Sequence, residues 1–231
     1  MKILHEMFER EHKVDFQGEH YQIPYKGSNA LGLGRPLKLI HHPVRNHIPI
    51  YLGSMGPKNV ALAAEISDGW FPHLLSPLQF DALYRPLLEN GFSKTDGSKN
   101  FNNFDIIAQV YVSVGEDIHA CRRSVKEKLG LILGGYGAKQ KNFYVNTVSQ
   151  YGYGTACKQI QDLFLSGKKE EAIDSIPDEL VDELAIVGPR EHVETQLAKW
   201  QAISIGGLAL WTYEPEALRM IADIVKKNGW E

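Results

Sequence analysis

Apolar positions along this chain recur at two spacings, near 3.6 residues and near 2, and the switches between them mark its elements. Ile3, Leu4, Met7 and Phe8 predict an amphipathic helix over residues 1–10. Val14 to Ile23 alternates around Gly18 and reads as a small hairpin or extended excursion, followed by a glycine-rich connection from Lys26 to Arg35. A strand is expected at 48–53, a helix at 57–67 and a second strand at 69–73. Val60, Ala63, Ala64 and Ser67 form a small-residue stripe suited to close packing of that helix on a sheet. Ser76-Pro77 opens a helix to about Asn90, and 93–103 is a polar loop. Residues 104–114 form the strongest strand, apolar on both faces as in a buried parallel sheet. Asp117 suits the cap of a helix to about Leu133. Residues 134–185 read as mostly helical, with breaks at Gly152, Gly167 and Pro177. A helix from Pro189 to Ile203, a strand at 207–212 and a helix at 214–227 complete the pattern. Strands alternating with helices of this length predict a parallel α/β architecture.

The segment from Ile48 to Pro72 carries the sharpest chemical signal. Its first strand runs into Gly53-Ser-Met-Gly-Pro57 and then directly into a helix. Proline suits the first helical position, where a missing N–H costs nothing. The first N–H groups of a helix lack internal partners, and the helix dipole favours negative charge there. Gly53, Ser54, Met55, Gly56, Lys58 and Asn59 are therefore candidates to cradle a phosphate. The same residues also suit a plain helix start, and the local pattern does not separate the two. Gly188-Pro189 is a second such start, ranked lower because the strand before it is less defined.

This turn resembles one in the luciferase-like monooxygenase superfamily. The resemblance continues through Gly18-Glu-His-Tyr-Gln-Ile23, Gly32 to Pro43, Gly134 to Tyr144, Ile176 to Glu183 and Val187-Gly-Pro189. Together these motifs resemble its F420-dependent oxidoreductase branch. The resemblance implies a (β/α)8 barrel, with this chain as a single luciferase-like domain over 1–231. Four strands match the C-terminal part of such a barrel, so the first four βα units are expected to be absent. The implied chemistry is hydride transfer between coenzyme F420 and a small organic substrate. The alternatives are an FMN-dependent monooxygenase, or a truncated domain that binds a cofactor or partner without turnover. Family members draw ring-pocket and proton-transfer residues from the first strands, so no catalytic acid or base is assigned. Without half the barrel rim, little turnover is expected from the chain alone. Four parallel strands cannot close a barrel, and their open edges predict self-association or a homo-oligomer.

Composition narrows the classes. The chain has 231 residues, 43% hydrophobic and 23% charged, with a net charge of −3. That is an ordinary globular make-up and argues against a nucleic-acid surface. Cys121 and Cys157 lack zinc or disulfide spacing, which suits a reduced cytoplasmic protein. No apolar run approaches the roughly 20 residues of a membrane span, and the charged N-terminus carries no signal-peptide pattern.

Other side chains have both a chemical and a structural reading. His41-His42 lies in a proline-flanked loop; no carboxylate stands at ligand spacing, so no metal site is assigned. His73, at the end of the second strand, faces either a ring or substrate, or else forms an ordinary strand-end hydrogen bond. Gln109 and Ser113 share the alternating set with Ile107 and Tyr111; one of them facing the cofactor, and routine packing, are both open. Trp211 and Thr212 end the last strand, and Trp70 is expected in the core. Lys139, Lys141, Asn142 and Tyr144 follow three glycines, where the lysines meet either an anionic group or solvent. Asp68-Gly-Trp70 resembles a recurrent motif of the same family, which implies that Asp68 fixes the turn and is not an acid or base. The absence of a nucleophile elbow or Walker loop fits redox chemistry performed by a bound cofactor.

Overall fold

The computed structural model describes residues 1–33, 37–138 and 140–230. Its contacts divide the chain into two compact units, residues 1–50 and 51–231. In the first, helix α1 (Lys2–Glu9) precedes an antiparallel hairpin of β1 (Phe16–Gln17) and β2 (Gln22–Ile23), as the alternation around Gly18 predicts. Arg10 donates to the carbonyl of His41 at 2.6 Å. His41 and His42 are exposed in this unit, and no group of potential metal ligands occurs among the described residues.

The second unit is an α/β fold on a parallel sheet. Strands β3 (Tyr51–Leu52), β4 (Gly69–Trp70) and β5 (Asp105–Val114) pair in that order. The lower part of β5 also pairs with β7 (Gly207–Trp211), and its upper part with β6 (Ala185–Gly188). Two strands are shorter than the periodicity predicts, and proline is the reason. Pro49 and Pro72 have no N–H for the ladder, so β3 starts at Tyr51 and β4 stops at Trp70. The line of β4 resumes only as a bridge between His73 and Gln109. Strand β6 is completely buried and stands where a helical stretch was expected to end; four residues are too few to show a period.

Helix α2 (Pro57–Ile66) buries the expected stripe, with Val60, Ala63, Ala64 and Ser67 at most 1% exposed. It packs on α3 (Arg85–Phe92) so closely that a Cβ at Gly91 would lie 2.2 Å from the Ala61 carbonyl oxygen. The helix expected from Pro77 instead begins as a 3-10 turn (Pro77–Gln79) and a π turn (Phe80–Tyr84). Asp117 caps α4 (Ile118–Gly130) by accepting from the N–H groups of His119 and Ala120. That helix runs on as a π turn, Leu131–Gly135. Helix α5 (Phe143–Val148), a π turn (Ser149–Tyr153), and helices α6 (Gly154–Leu165), α7 (Lys169–Asp174) and α8 (Asp178–Leu184) lead into β6. Helices α9 (Arg190–Gln201) and α10 (Pro215–Asn228) flank β7.

The two faces of β5 differ. Ile106, Ala108, Val110 and Val112 are at most 1% exposed and form the core with the helices. Asp105, Ile107 and Gln109, on the opposite face, are only half-buried. Parallel sheets are normally covered on both faces. Among the described residues, β3 pairs only with β4 and β7 only with β5, and no closed barrel forms.

Candidate functional site

Beyond the C-terminal ends of β3, β4 and β7 lies a cleft of about 400 Å³. Gly53, Ser54 and Met55 form one end of it, directly after β3. Phe71, His73, Gln109, Tyr111 and Trp211 come from the sheet, and Ile132, Tyr136 and Tyr144 from the helical side. Alternation explains the sheet contribution: 69, 71 and 73 share one side of the chain, as do 107, 109 and 111.

The walls are aromatic and ordered by ring contacts. Tyr111 stacks on Trp211 with ring centroids 5.0 Å apart. His73 meets Tyr111 and Tyr144 edge-on at 6.0 and 5.5 Å. Its Nε2 lies 3.4 Å from the Tyr111 hydroxyl, with the direction of donation set by the tautomer. Burial pushes the His73 pKa below the ordinary histidine value, so the ring is neutral at neutral pH. Burial, with lesser contributions from Tyr136 and Tyr144, pushes the Tyr111 phenol up to about 12. Both groups thus meet a ligand as neutral hydrogen-bonding partners. Lys128 Nζ sits 5.6 Å from the Tyr111 ring centre, a cation–π contact. Gln109 donates its backbone N–H to Pro72 at 3.1 Å, while its side-chain Nε2 is buried without an acceptor among the described residues. A buried amide nitrogen without a partner is uncommon.

The glycine turn is held from behind. The Trp70 indole is fully buried, and its Nε1–H donates to the Ser54 carbonyl at 2.8 Å. Ser54 Oγ donates to the Asn59 carbonyl at 3.2 Å. Gly56 caps α2 in an extended conformation, with Pro57 at the first helical position. The Asn59 and Val60 N–H groups both donate to the Gly56 carbonyl at 2.9 Å. Asn59 therefore has an internal partner, unlike the open N–H expected of it. The N–H groups of Met55, Gly56 and Lys58 have no backbone acceptor among the described residues. A Cβ at Gly56 would meet nothing within 4 Å, so the approach to the backbone is open.

Of the expected site residues, Gly53, Ser54, Met55, His73, Gln109 and Trp211 come together in the cleft. Gly56, Lys58 and Asn59 belong to the same turn but do not line it. Tyr144 joins it, while Asn142 is 3% exposed and caps α5, with its amide donating to the carbonyls of Ile132 and Leu133. Lys141 is exposed, and Lys139 lies outside the described residues. Ser113 is 6% exposed on β5, opposite Val187. Thr212 Oγ1 accepts from the Glu214 N–H at 3.1 Å, and the Asp68 carbonyl accepts from the Asp105 N–H at 3.2 Å. The sequence does not single out Phe71, Tyr111, Ile132 or Tyr136; Tyr111 shares the parity of Gln109. Parity with His73 was available for Phe71; Ile132 and Tyr136 depend on a π turn that no periodicity announces.

Cleft and sheet correspond to a known class. The chain belongs to the luciferase-like monooxygenase family, whose profile matches residues 1–206. It is 40% identical over 223 residues to a Mycobacterium tuberculosis protein named as a coenzyme F420-dependent oxidoreductase. That match covers 96% of this chain and 64% of the relative. Among solved structures, it resembles the F420-dependent tetrahydromethanopterin reductase of Methanopyrus kandleri, with TM-score 0.72 and 17% identity. This likeness covers 97% of this chain and 59% of the reductase. An F420-dependent secondary alcohol dehydrogenase, solved with an F420-acetone adduct, gives TM-score 0.60 at 17% identity, covering 98% of this chain and 58% of the other. The chain thus spans less than two-thirds of the length of these relatives. No described helix is long and apolar enough to cross a membrane.

Proposed function

We propose that this chain contributes the cofactor cleft of an F420-dependent oxidoreductase acting on a small organic substrate. The observation that carries this is the 40% identity over 96% of the chain to a protein named for that cofactor. The cleft suits a planar, anionic cofactor on three counts. Trp211, backed by Tyr111, offers a ring face, the buried Gln109 Nε2 calls for an acceptor, and the Gly53–Gly56 turn presents backbone N–H groups at a helix start. In this reading, the turn holds a phosphate and Gln109 donates to a carbonyl of the ring. The bound deazaflavin would supply hydride chemistry, and the protein binds, orients and excludes water. His73 and Tyr111, both neutral, hold protons close to the ring site. FMN is the alternative cofactor, since the family is defined by monooxygenases.

The sheet supports a finer structural proposal: the parallel strands are the C-terminal part of a (β/α)8 barrel within a single luciferase-like domain. The half-open face of β5 and the unpaired sides of β3 and β7 support it, and they favour self-association of the isolated chain. Hydride transfer needs donor and acceptor held in close register, so low turnover is proposed for this chain by itself. Titration with oxidised F420 and with FMN, followed by visible absorbance and fluorescence, tests the reading. Saturable binding of F420 that weakens in Gln109→Leu is expected. Binding of neither cofactor by the folded chain overturns the proposal.

A further inference from the structure

Just after His73 the chain turns a corner that its own residues do not favour. Leu74 has φ 54°, in the left-handed region that a branched L-residue occupies only where its surroundings hold it. Its side chain is 2% exposed, and its carbonyl accepts a hydrogen bond from the Tyr151 hydroxyl at 2.9 Å. Tyr151 is paired, hydroxyl to hydroxyl, with Tyr84. Two residues beyond Leu74, Ser76 Oγ donates to Glu183, whose second carboxylate oxygen accepts from the Tyr153 hydroxyl at 2.9 Å. Ser76, Tyr84, Tyr151 and Glu183 are all buried, at most 7% exposed, and every member of this network has a partner.

The sequence spacing of the two tyrosines is the unusual feature. Residues two apart on an α-helix point to nearly opposite sides. Here Ser149–Tyr153 is a π turn, and Gly152 between the tyrosines has φ 97°. That local reversal brings both hydroxyls to bear on one segment, residues 74–76. A Cβ at Gly152 would meet nothing within 4 Å, so glycine answers here to backbone conformation and not to space.

We propose that the Tyr151-Gly152-Tyr153 turn is a positioning device for His73. One hydroxyl acts directly on Leu74 and the other acts through Glu183 on Ser76, and together they fix the corner that aims the imidazole into the cleft. Tyr151 and Tyr153 are positioning residues, with no contact to the cleft themselves. The corner and its clamps stand without any ligand; only the consequence for binding rests on the proposed function.

The test reads the His73 imidazole by NMR titration of the ligand-free full chain, with His73→Asn to assign its resonances. Tyr111 and Tyr144 are the titratable groups facing His73, with Lys128 against the Tyr111 ring, and none is altered. Tyr151→Phe keeps the ring but leaves the Leu74 carbonyl without its donor. A loosened corner lets His73 reach water, so its titration midpoint is expected to rise toward that of an ordinary histidine. Tyr84→Phe keeps the bond from Tyr151 to Leu74 and is expected to leave the midpoint in place. An unchanged midpoint in folded Tyr151→Phe, or an equal rise in Tyr84→Phe, overturns the inference. Should Tyr151→Phe not fold, Tyr153→Phe carries the test through Ser76, and an unchanged midpoint there overturns it as well. F420 affinity is expected to fall about fivefold in Tyr151→Phe, the loss equivalent to one neutral hydrogen bond. A shifted midpoint with unchanged affinity supports the clamp and counts against the cleft as the cofactor site.

Discussion

Gly56-Pro57 and Gly188-Pro189 look alike in the sequence, each a strand, a glycine and a proline ahead of a helix. In the fold they differ in almost every physical respect. Gly56 is extended, at φ −73°, with open space where a Cβ would point, and Pro57 is already inside α2. Gly188 has φ 97°, closes the buried strand β6, and accepts a hydrogen bond from the Gly115 N–H at 3.1 Å. A Cβ there would lie 3.1 Å from Ile118 Cγ1, and Pro189 stands outside α9 as its cap. The first glycine leaves the helix start open to a ligand. The second serves the packing of its own surroundings. A dipeptide at a helix start thus says little about binding until the space in front of it is known.

Substitution breaks this comparison most sharply at Gly188. Gly188→Val combines a left-handed backbone with a crowded Cβ and should cost about 2–4 kcal/mol, whereas Gly56→Val should cost less than about 1 kcal/mol. Urea denaturation of the two variants tests this; equal losses would abolish the distinction. Cofactor binding should reverse the order. Gly56→Val is expected to lose roughly tenfold in affinity, about 1.4 kcal/mol, because its side chain obstructs the approach to the N–H groups. Unchanged affinity would remove this turn as the phosphate site.

The cleft in front of the open turn also holds His73, which gives a pH signature. Burial depresses its folded pKa below 6.5, so the unfolded chain takes up the proton first as pH falls. Its contribution to stability is complete above pH 6.5 and is lost as the pH falls from there toward the folded value. Urea midpoints measured from pH 7.5 downward should decline more steeply in the wild type than in His73→Asn, with the difference opening before the carboxylates titrate. Parallel profiles would place His73 in solvent. The smallest effect is expected from Lys58→Ala. Its side chain is exposed, so cofactor affinity should fall less than about threefold, and less still at high salt.

The long central strand was legible because one face of β5, from Ile106 to Val114, is wholly apolar; the expectation of two apolar faces fails, since Asp105, Gln109 and Ser113 share the other. The helix at 57–66 was equally clear, since its small residues repeat at helical spacing and a proline marks its start. Short elements escaped. The four residues of β6 are too few to show a period, and the π turns at 80–84, 131–135 and 149–153 leave no distinct mark on the apolar pattern. Half of the candidate site was visible as a glycine turn and as strand-end residues. Ile132 and Tyr136 were hidden because a π turn sets their direction. Asn142 looked like chemistry and proved to be a satisfied helix cap.

What the sequence determined by itself is what depends on neighbours along the chain: the long strand and the longer helices, the Gly-Pro helix starts, the Asp117 cap and the motifs of the family. Tertiary structure alone decided which Gly-Pro turn stays open, because that depends on Ile118 lying against one and nothing against the other. It also decided that Gln109 keeps a buried amide unpaired, and that a tyrosine 77 residues away holds the corner beside His73. Solvent access and long-range hydrogen bonds are properties of the packed chain, and no local pattern encodes them.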